Sequence, residues 1–425
     1  MTEDLLSLAK RLDQQDSLRK FREEFEFPEY SGEPKIYFCG NSLGLMPSAT
    51  RGILEEELEA WSSGAVEAHF MGPRPWATYH KHFQEGLAKL LGAKKDEVVA
   101  MNSLTTNLHL ALASFYKPSS KRYLILTEDP VFSSDIYALQ SQLQWHGKSP
   151  SRALLSCKPR KGEFILQTED ILKKIERNKN RLALVYLGGV NYYNGQAYEL
   201  EIIAKAARKA GAMVGVDLAH AIGNVPLELH EWNIDFAVWC SYKYLNAGPG
   251  AVGGMFVHSR HHKRKDIFRL QGWWGHREVD RFKMKPEFKP APGADAWQLS
   301  NAPVFNMAGL LASLDIFQRA GFKNLVRKSR AMTKLLEEQI ASCSNKSGYR
   351  IKLITPGSID ERGCQLSIWA GSYAEELHTR ISKAGFVTDL RNPGVIRIAP
   401  VPLYNSYEEV VLLAEFLKKW CYYKK

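Results

Sequence analysis

Two neighbouring stretches, AMVGVDLAH (212–220) and IDFAVWCSYKYLNAGPG (234–250), decide how the chain folds. Each opens as an apolar run of strand length without polar alternation, the pattern of a strand covered on both faces. The first run ends in Asp217, with His220 shortly after it. The second ends in Lys243, framed by Tyr242 and Tyr244, and meets Asn246-Ala247-Gly248-Pro249-Gly250, which continues neither helix nor strand. A lysine in this place is costly unless its charge is used, removed or led out to water. A buried lysine loses its proton readily, and the neutral amine condenses with an aldehyde; alternatively, a lone lysine lays its stem on apolar surface and keeps its ammonium in solvent. Asp217 has a similar pair of readings, the N-cap of a turn or an anion set at a strand end for a ligand.

The same pattern extends outward. RYLILTED (122–129) and RLALVYLGG (181–189) are further apolar strands, and EDILKKIERNK and LEIIAKAARKAGA have helical spacing between them. Buried strands alternating with helices predict an α/β fold with a mainly parallel sheet, whose ligands bind at the carboxyl ends of the strands. Beyond residue 306 the alternation changes to a long helical stretch broken at Gly321, then short strands (IKLIT, CQLSIWA, VIRIAP) and two helices, as in a smaller α+β domain. The expected division is an N-terminal segment, 1–60, that joins the small domain, a large domain over 61–305, and a C-terminal small domain over 306–425.

Bulk composition narrows the function classes. The chain has 425 residues, 45% of them hydrophobic, and a formal charge of +11, which suits anionic substrates and phosphorylated cofactors as well as nucleic acid. The densest basic run, SRHHKRK (259–265), lacks the interleaved aromatics of a nucleic-acid surface, so none is expected as partner. Six scattered cysteines form no C-x-x-C pair, which predicts neither a metal site nor a disulfide framework and fits a reducing compartment. The N-terminus reads as an amphipathic helix rather than a secretory signal, and the apolar runs stop well short of a membrane span. A cytoplasmic protein without membrane contact is expected.

Asp217 and Lys243 end two strands and can converge on one ligand. A cofactor that works as an electron sink through a pyridine ring needs an anion at its ring nitrogen and a lysine for its aldehyde, the parts that pyridoxal 5'-phosphate takes from its enzymes. Its phosphate needs hydroxyls and the N–H groups of a helix start. MNSLTTNLHLALASF offers Ser103, Leu104, Thr105 and Thr106 before an apolar helical face, and DPVFSSDIYALQ offers Phe132, Ser133, Ser134 and Asp135 after another strand. His220 is placed to stack on the ring or to bond beside it.

DLAHAIGNVPLELHEWNIDFAVWCSYKYLNAGPG, with GNSLGL, RPW, MNSLTTNLHL, GWWGHR, ERGCQLSI and RNPGVIRIAPVPLYNS, strongly resembles the kynureninase family, from about Tyr37 to the C-terminal helix. The resemblance implies the aspartate aminotransferase fold type, a pyridoxal phosphate cofactor, a homodimer with shared active sites, and hydrolysis of L-kynurenine or 3-hydroxy-L-kynurenine to anthranilate or 3-hydroxyanthranilate plus L-alanine. It makes Lys243 the Schiff-base lysine and Asp217 the partner of the pyridine nitrogen. It also sets Leu104, Thr105, Phe132, Ser134, Asp135, His220, Tyr242, Trp273 and Asn301 at cofactor positions; Tyr242, next to Lys243, is a candidate either for a proton relay or for a hydrogen-bond donor to the phosphate. Arg397 becomes the clamp of the substrate α-carboxylate, and Ser42, His69 and Asn301 surround the aromatic ring, with a preference for the 3-hydroxylated substrate. Gly188 stands where a Ser or Thr is expected and Asn191 where some relatives have a His, which implies weaker cofactor binding with the chemistry retained. The rivals are a cysteine desulfurase on the same fold, which needs a reactive cysteine on a mobile loop, and a catalytically silent nucleic-acid binder.

Overall fold

The computed structural model describes residues 4–30, 32–344 and 351–423. Its centre is a mixed sheet of seven strands: β1 (Val98–Ala100), β2 (Leu124–Glu128), β3 (Leu154–Cys157), β4 (Leu182–Gly188), β5 (Met213–Asp217), β6 (Phe236–Cys240) and β7 (Gly253–Val257). The spatial order is β1-β7-β6-β5-β4-β2-β3, with β3, β2, β4, β5 and β6 parallel and β7 antiparallel to both neighbours. β1, β2, β6 and β7 are buried along their whole length. Their lack of alternation follows, because helices cover both faces.

The helices are α1 (Leu5–Gln15), α2 (Thr50–Glu59), α3 (Lys81–Leu91), α4 (Leu104–Phe115), α5 (Ser133–Trp145), α6 (Thr168–Asn178), α7 (Leu200–Lys209), α8 (Val304–Ala320), α9 (Phe322–Ser344), α10 (Ala374–Lys383) and α11 (Tyr407–Tyr423). α6 and α7 are amphipathic: α6 buries Ile171 and Ile175, and α7 buries Leu200, Ile203, Ala204 and Ala207. Because the parallel strands share one direction, Glu128, Gly188, Asp217 and Cys240 all end on one edge of the sheet. Asp217 lies in register with Gly188 on one side and Val238 on the other.

A second sheet, β8 (Lys352–Leu353), β9 (Leu366–Trp369), β10 (Asp389–Arg391) and β11 (Val395–Ile398), is antiparallel in the order β8-β9-β11-β10. It packs with α10, α11 and the later turns of α9 around Leu336, Ile340, Leu366, Ile368 and Leu417. α1 joins this core through Ala9, and its Asp13 carboxylate accepts the N–H groups of Tyr407 (2.8 Å) and Glu408 (2.9 Å) at the start of α11.

The N-terminal segment divides between the cores: Ala9 and Phe38 belong to the smaller, whereas Phe21, Phe25 and Leu45 belong to the larger. α8 and Leu325 at the start of α9 also pack into the larger core, through Met307, Leu310 and Phe317. By packing, the chain changes core within α9 rather than at residue 306. The break at Gly321 redirects the helix, but the apolar face carries on across it. No helix among the described residues is long and apolar enough to cross a membrane.

Candidate active site

Lys243 follows β6 in a turn held down from outside by the loop of GNSLGL. Gly44 N–H donates to Tyr242 O at 2.8 Å, and a Cβ built on Gly44 would lie 2.3 Å from Lys243 O. Only a glycine lets that loop approach so closely. The lysine is 8% exposed, and its Nζ lies 2.9 Å from His220 Nε2 and 5.5 Å from the centre of the Phe132 ring. Burial, then the Lys243 charge, drives the His220 imidazole well below its ordinary pKa, so it is neutral; its Nδ1 is buried without a partner.

Three carboxyl groups from β2, α5 and β5 meet at the end of β5. Asp217 Oδ1 accepts the Ala219 N–H at 2.7 Å. Asp135, on the first turn of α5, is held well above the usual carboxylate range by burial and by the neighbouring Asp217. Glu128, at the end of β2, is pushed up to about 7, chiefly by burial, although it accepts the Gly188 N–H at 3.0 Å.

Facing this acidic end are two helix starts. Thr105 Oγ1, on α4, and Ser134 Oγ, on α5, lie 2.7 Å apart. The first-turn amides of a helix have no partner within it, so these two termini with their hydroxyls form a cradle for an anion. β7 passes close beneath: a Cβ on Gly253 would stand 3.0 Å from Leu104 N. Leu104, Thr105, Phe132, Ser134, Asp135, Asp217, His220, Tyr242 and Lys243 line one cavity of about 70 Å³, along with Glu128, Gly188 and Tyr192. A larger cleft of about 810 Å³ lies apart, beside α2, and holds none of these residues.

Arg397, on β11, is buried behind Tyr192 and does not itself line the cavity. It donates Nη1 to Tyr192 O at 2.8 Å and Nη2 to both Ser42 Oγ (2.9 Å) and Asp389 Oδ2 (2.6 Å), while Tyr192 packs edge-on against Phe132. A cation thus stands behind Tyr192, next to a cavity that has an anion cradle on one side and acidic side chains at the far end. That arrangement suits a phosphorylated pyridine bearing an aldehyde, together with an amino acid.

Residues 325–417 match the family model "Kynureninase C-terminal domain", and residues 53–353 match "Aminotransferase class-V". Kynureninases from Flavobacterium psychrophilum and Myxococcus xanthus are 46% and 48% identical to the chain, over 98% of it and 98% and 97% of their own lengths. The chain belongs to the kynureninase family. Among solved structures, a cysteine desulfurase from Thermococcus onnurineus superposes with a TM-score of 0.72 at 18% identity, covering 91% of this chain and 94% of that one. One from Escherichia coli gives 0.73 at 17%, covering 95% and 98%. At that identity the likeness is one of fold.

Several residues named from the sequence or from the kynureninase resemblance lie outside the lining of the Lys243 cavity in this chain, Arg397 among them. Ser133 opens α5 but is exposed and does not line the cavity. Ser42, expected at the aromatic ring with His69 and Asn301, instead bonds Arg397 and Asp389, because its loop crosses the end of the small sheet. Trp273, 48% exposed, gives its Nε1 to Arg281 O at 3.1 Å and packs on Phe282. His69 packs on Trp76 and Phe70, and Asn301 is exposed. None of these last three lines the Lys243 cavity.

Gly188 leaves no empty space for a lost hydroxyl, since a Cβ there would stand 3.1 Å from Glu128 Oε1. Asn191 donates to Pro130 O at 2.9 Å. Glu128, Tyr192 and Asp389 were not anticipated, yet Glu128 ends the RYLILTED strand and the strand-end rule applied there would have found it. The cysteine required by the desulfurase rival is missing among the described side chains: Cys39, Cys157, Cys240, Cys364 and Cys421 are all buried, and burial pushes Cys364 up to about 12. The side chain of Cys343 lies outside the described residues.

Proposed function

We propose that the kynureninase reaction of this chain is carried out in the Lys243 cavity, with Lys243 as the lysine that holds pyridoxal phosphate and moves the proton at the substrate Cα. The family activity is hydrolysis of the Cβ–Cγ bond of L-kynurenine or 3-hydroxy-L-kynurenine, giving the aromatic acid and L-alanine. The observation that carries the assignment to this cavity is the placement of Lys243 Nζ at 2.9 Å from a neutral His220, with the Asp217 carboxylate and two helix starts around it.

Pyridoxal phosphate, when bound, supplies an aldehyde for the amine and a ring that draws electrons from the substrate Cα and Cβ. Asp217 would hold the ring nitrogen protonated, with Asp135, held above the usual carboxylate range, beside it. Thr105, Ser134 and the first-turn amides of α4 and α5 would bind the phosphate, and Phe132 would cover the ring. His220 accepts a hydrogen from Lys243 Nζ and so fixes the direction of the amine as it takes and returns the Cα proton. Arg397 clamps the α-carboxylate. Tyr242, whose phenol is held well above its ordinary pKa by burial, stays protonated and can donate to the departing side. Water supplies the oxygen that ends in the aromatic carboxylate, and the Cβ–Cγ electron pair stays on Cβ, which takes a proton to become the methyl of alanine.

The same reading makes the protein a homodimer whose sites borrow residues. Trp61, Phe70, Trp273, Phe282 and Phe305 are exposed aromatics, paired as Trp61–Phe305, Phe70–Phe282 and Trp273–Phe282 with ring centres 5.4–5.9 Å apart. Exposed apolar patches of this kind mark interfaces. Trp273 belongs to the Phe70–Phe282 group and His69 packs on Phe70, which supports their entry, with Asn301, into the cavity of a second copy, where they would meet the aromatic ring and favour its 3-hydroxyl. The five buried free cysteines fit a cytoplasmic setting. The test is a parallel assay of aromatic acid and alanine from both kynurenines: equimolar products, formed faster from the hydroxylated substrate, are expected, and a bound cofactor with neither product would overturn the reading.

A further inference from the structure

Two arginines on neighbouring strands share one carboxylate behind Tyr192, a residue that lines the site. Asp389 lies directly across from Arg397 in the β10–β11 register, and its Oδ2 accepts from Arg397 Nη2 at 2.6 Å, from Arg391 Nη2 at 3.0 Å and from the Ser42 hydroxyl. The two cations differ in freedom, since the Arg397 side chain is 2% exposed and that of Arg391 is 41% exposed. The Nε of each is buried without a partner.

A guanidinium can grip a carboxylate at two points in two ways, across Nη1 and Nη2 or across Nε and Nη2, and both include Nη2. Both hydrogens of Arg397 Nη2 are already given, one to Ser42 and one to Asp389. A substrate carboxylate therefore cannot form a two-point grip on Arg397 until one of these acceptors leaves. Ser42 is neutral and loses little by turning away, but a carboxylate retained beside an incoming carboxylate repels it. Asp389 is the group that must go, and Arg391, half in solvent and with an unused Nε, is already on the same oxygen to keep it paired.

We propose that Asp389 stands in for the substrate α-carboxylate on Arg397 and passes to Arg391 when substrate arrives. This makes Arg391 a positioning residue that sets the preference for amino acids over simple amines. The inference rests on the reading of Arg397 as the α-carboxylate clamp. It accounts for a second arginine whose charge the clamp itself does not need.

The test titrates the cofactor-loaded protein with L-alanine and with ethylamine, its counterpart without a carboxylate, following the visible absorbance. Asp389→Asn, which keeps shape and loses charge, should bind alanine more tightly by several-fold. Arg391→Gln should weaken alanine by about tenfold, the worth of one charge-assisted hydrogen bond, with ethylamine unaffected. The double variant should recover most of that loss. Arg391→Lys, which retains a charge without the fork, should fall between Gln and the parent. Weaker alanine binding by Asp389→Asn would mean that the carboxylate merely orients Arg397, and an Arg391→Gln protein like the parent would mean that no exchange occurs; either result overturns the proposal. If Arg397→Lys leaves the alanine-to-ethylamine ratio unaltered, the clamp reading itself has failed, which is a separate outcome.

Discussion

Gly44→Ala tests how the N-terminal loop braces the lysine turn. The new methyl would stand 2.3 Å from Lys243 O and from Asn246 Oδ1 and 2.7 Å from Asn246 Cα, where ordinary contact begins at 3.4 Å. Two of these three neighbours are backbone atoms, so a side-chain rotation cannot relieve the overlap. Either the loop or the lysine turn must move by about 1 Å. Overpacking of this kind costs about 1–3 kcal/mol, which at about 2–4 °C per kcal/mol for a chain of a few hundred residues lowers Tm by several degrees. A displacement of about 1 Å in a reacting group costs roughly hundredfold in rate. The assay is kcat/KM beside the thermal melt of the cofactor-loaded protein. Gly52→Ala is the control, because nothing lies within 4 Å of its added methyl in α2, and it should leave kcat/KM alone and stabilise slightly. A Gly44→Ala protein with kcat/KM within about twofold of the parent and an equal Tm would refute the bracing argument.

Arg397→Lys removes the planar fork and keeps the charge; the loss of one charge-assisted hydrogen bond, about 1.5–3 kcal/mol, should raise KM by tenfold or more in steady-state assays, and an unaltered KM would remove the arginine from its role. Glu128 binds its proton more tightly folded, near pH 7, than unfolded, near the ordinary glutamate value of 4.5, so the folded state holds the extra proton and stability falls as pH rises between those values. Melts of cofactor-free Glu128→Gln protein should thus gain on the parent steadily from about pH 5 to pH 8; parallel curves would contradict the burial argument. Shared sites predict complementation: inactive Lys243→Ala subunits mixed with impaired His69→Ala subunits should form hybrids that regain turnover, and a mixture no better than its components would place His69 in its own chain's business only.

Much of the centre was legible because it obeys local rules. Buried parallel strands must be apolar along their length, and that logic marked the strand ends Asp217 and Lys243 for inspection; each alone has a structural reading, as an N-cap or as a lysine led out to water, and only their combination with the other motifs pointed to a cofactor. Glu128 escaped because TED looks like the polar beginning of a loop, although its first acidic residue is still strand. Asp389 and Arg391 were harder, since their meaning comes from cross-strand register with Arg397, which depends on a tight turn through Asn392, Pro393 and Gly394. The division at residue 306 followed a change of pattern in the sequence, whereas packing follows the apolar face of α8, which stays with the large sheet. Trp273, His69 and Asn301 are a different matter: family likeness marks them for the cofactor or substrate, but one chain alone sets them on its surface.

The central claim is that Lys243 carries the cofactor. Borohydride reduction of the cofactor-loaded protein, followed by digestion and mass spectrometry, fixes the cofactor covalently on whichever lysine holds it. The account predicts the added mass on the peptide that contains Lys243, and its disappearance in Lys243→Ala. Labelling of another lysine, or of none in protein that turns over kynurenine, would contradict it.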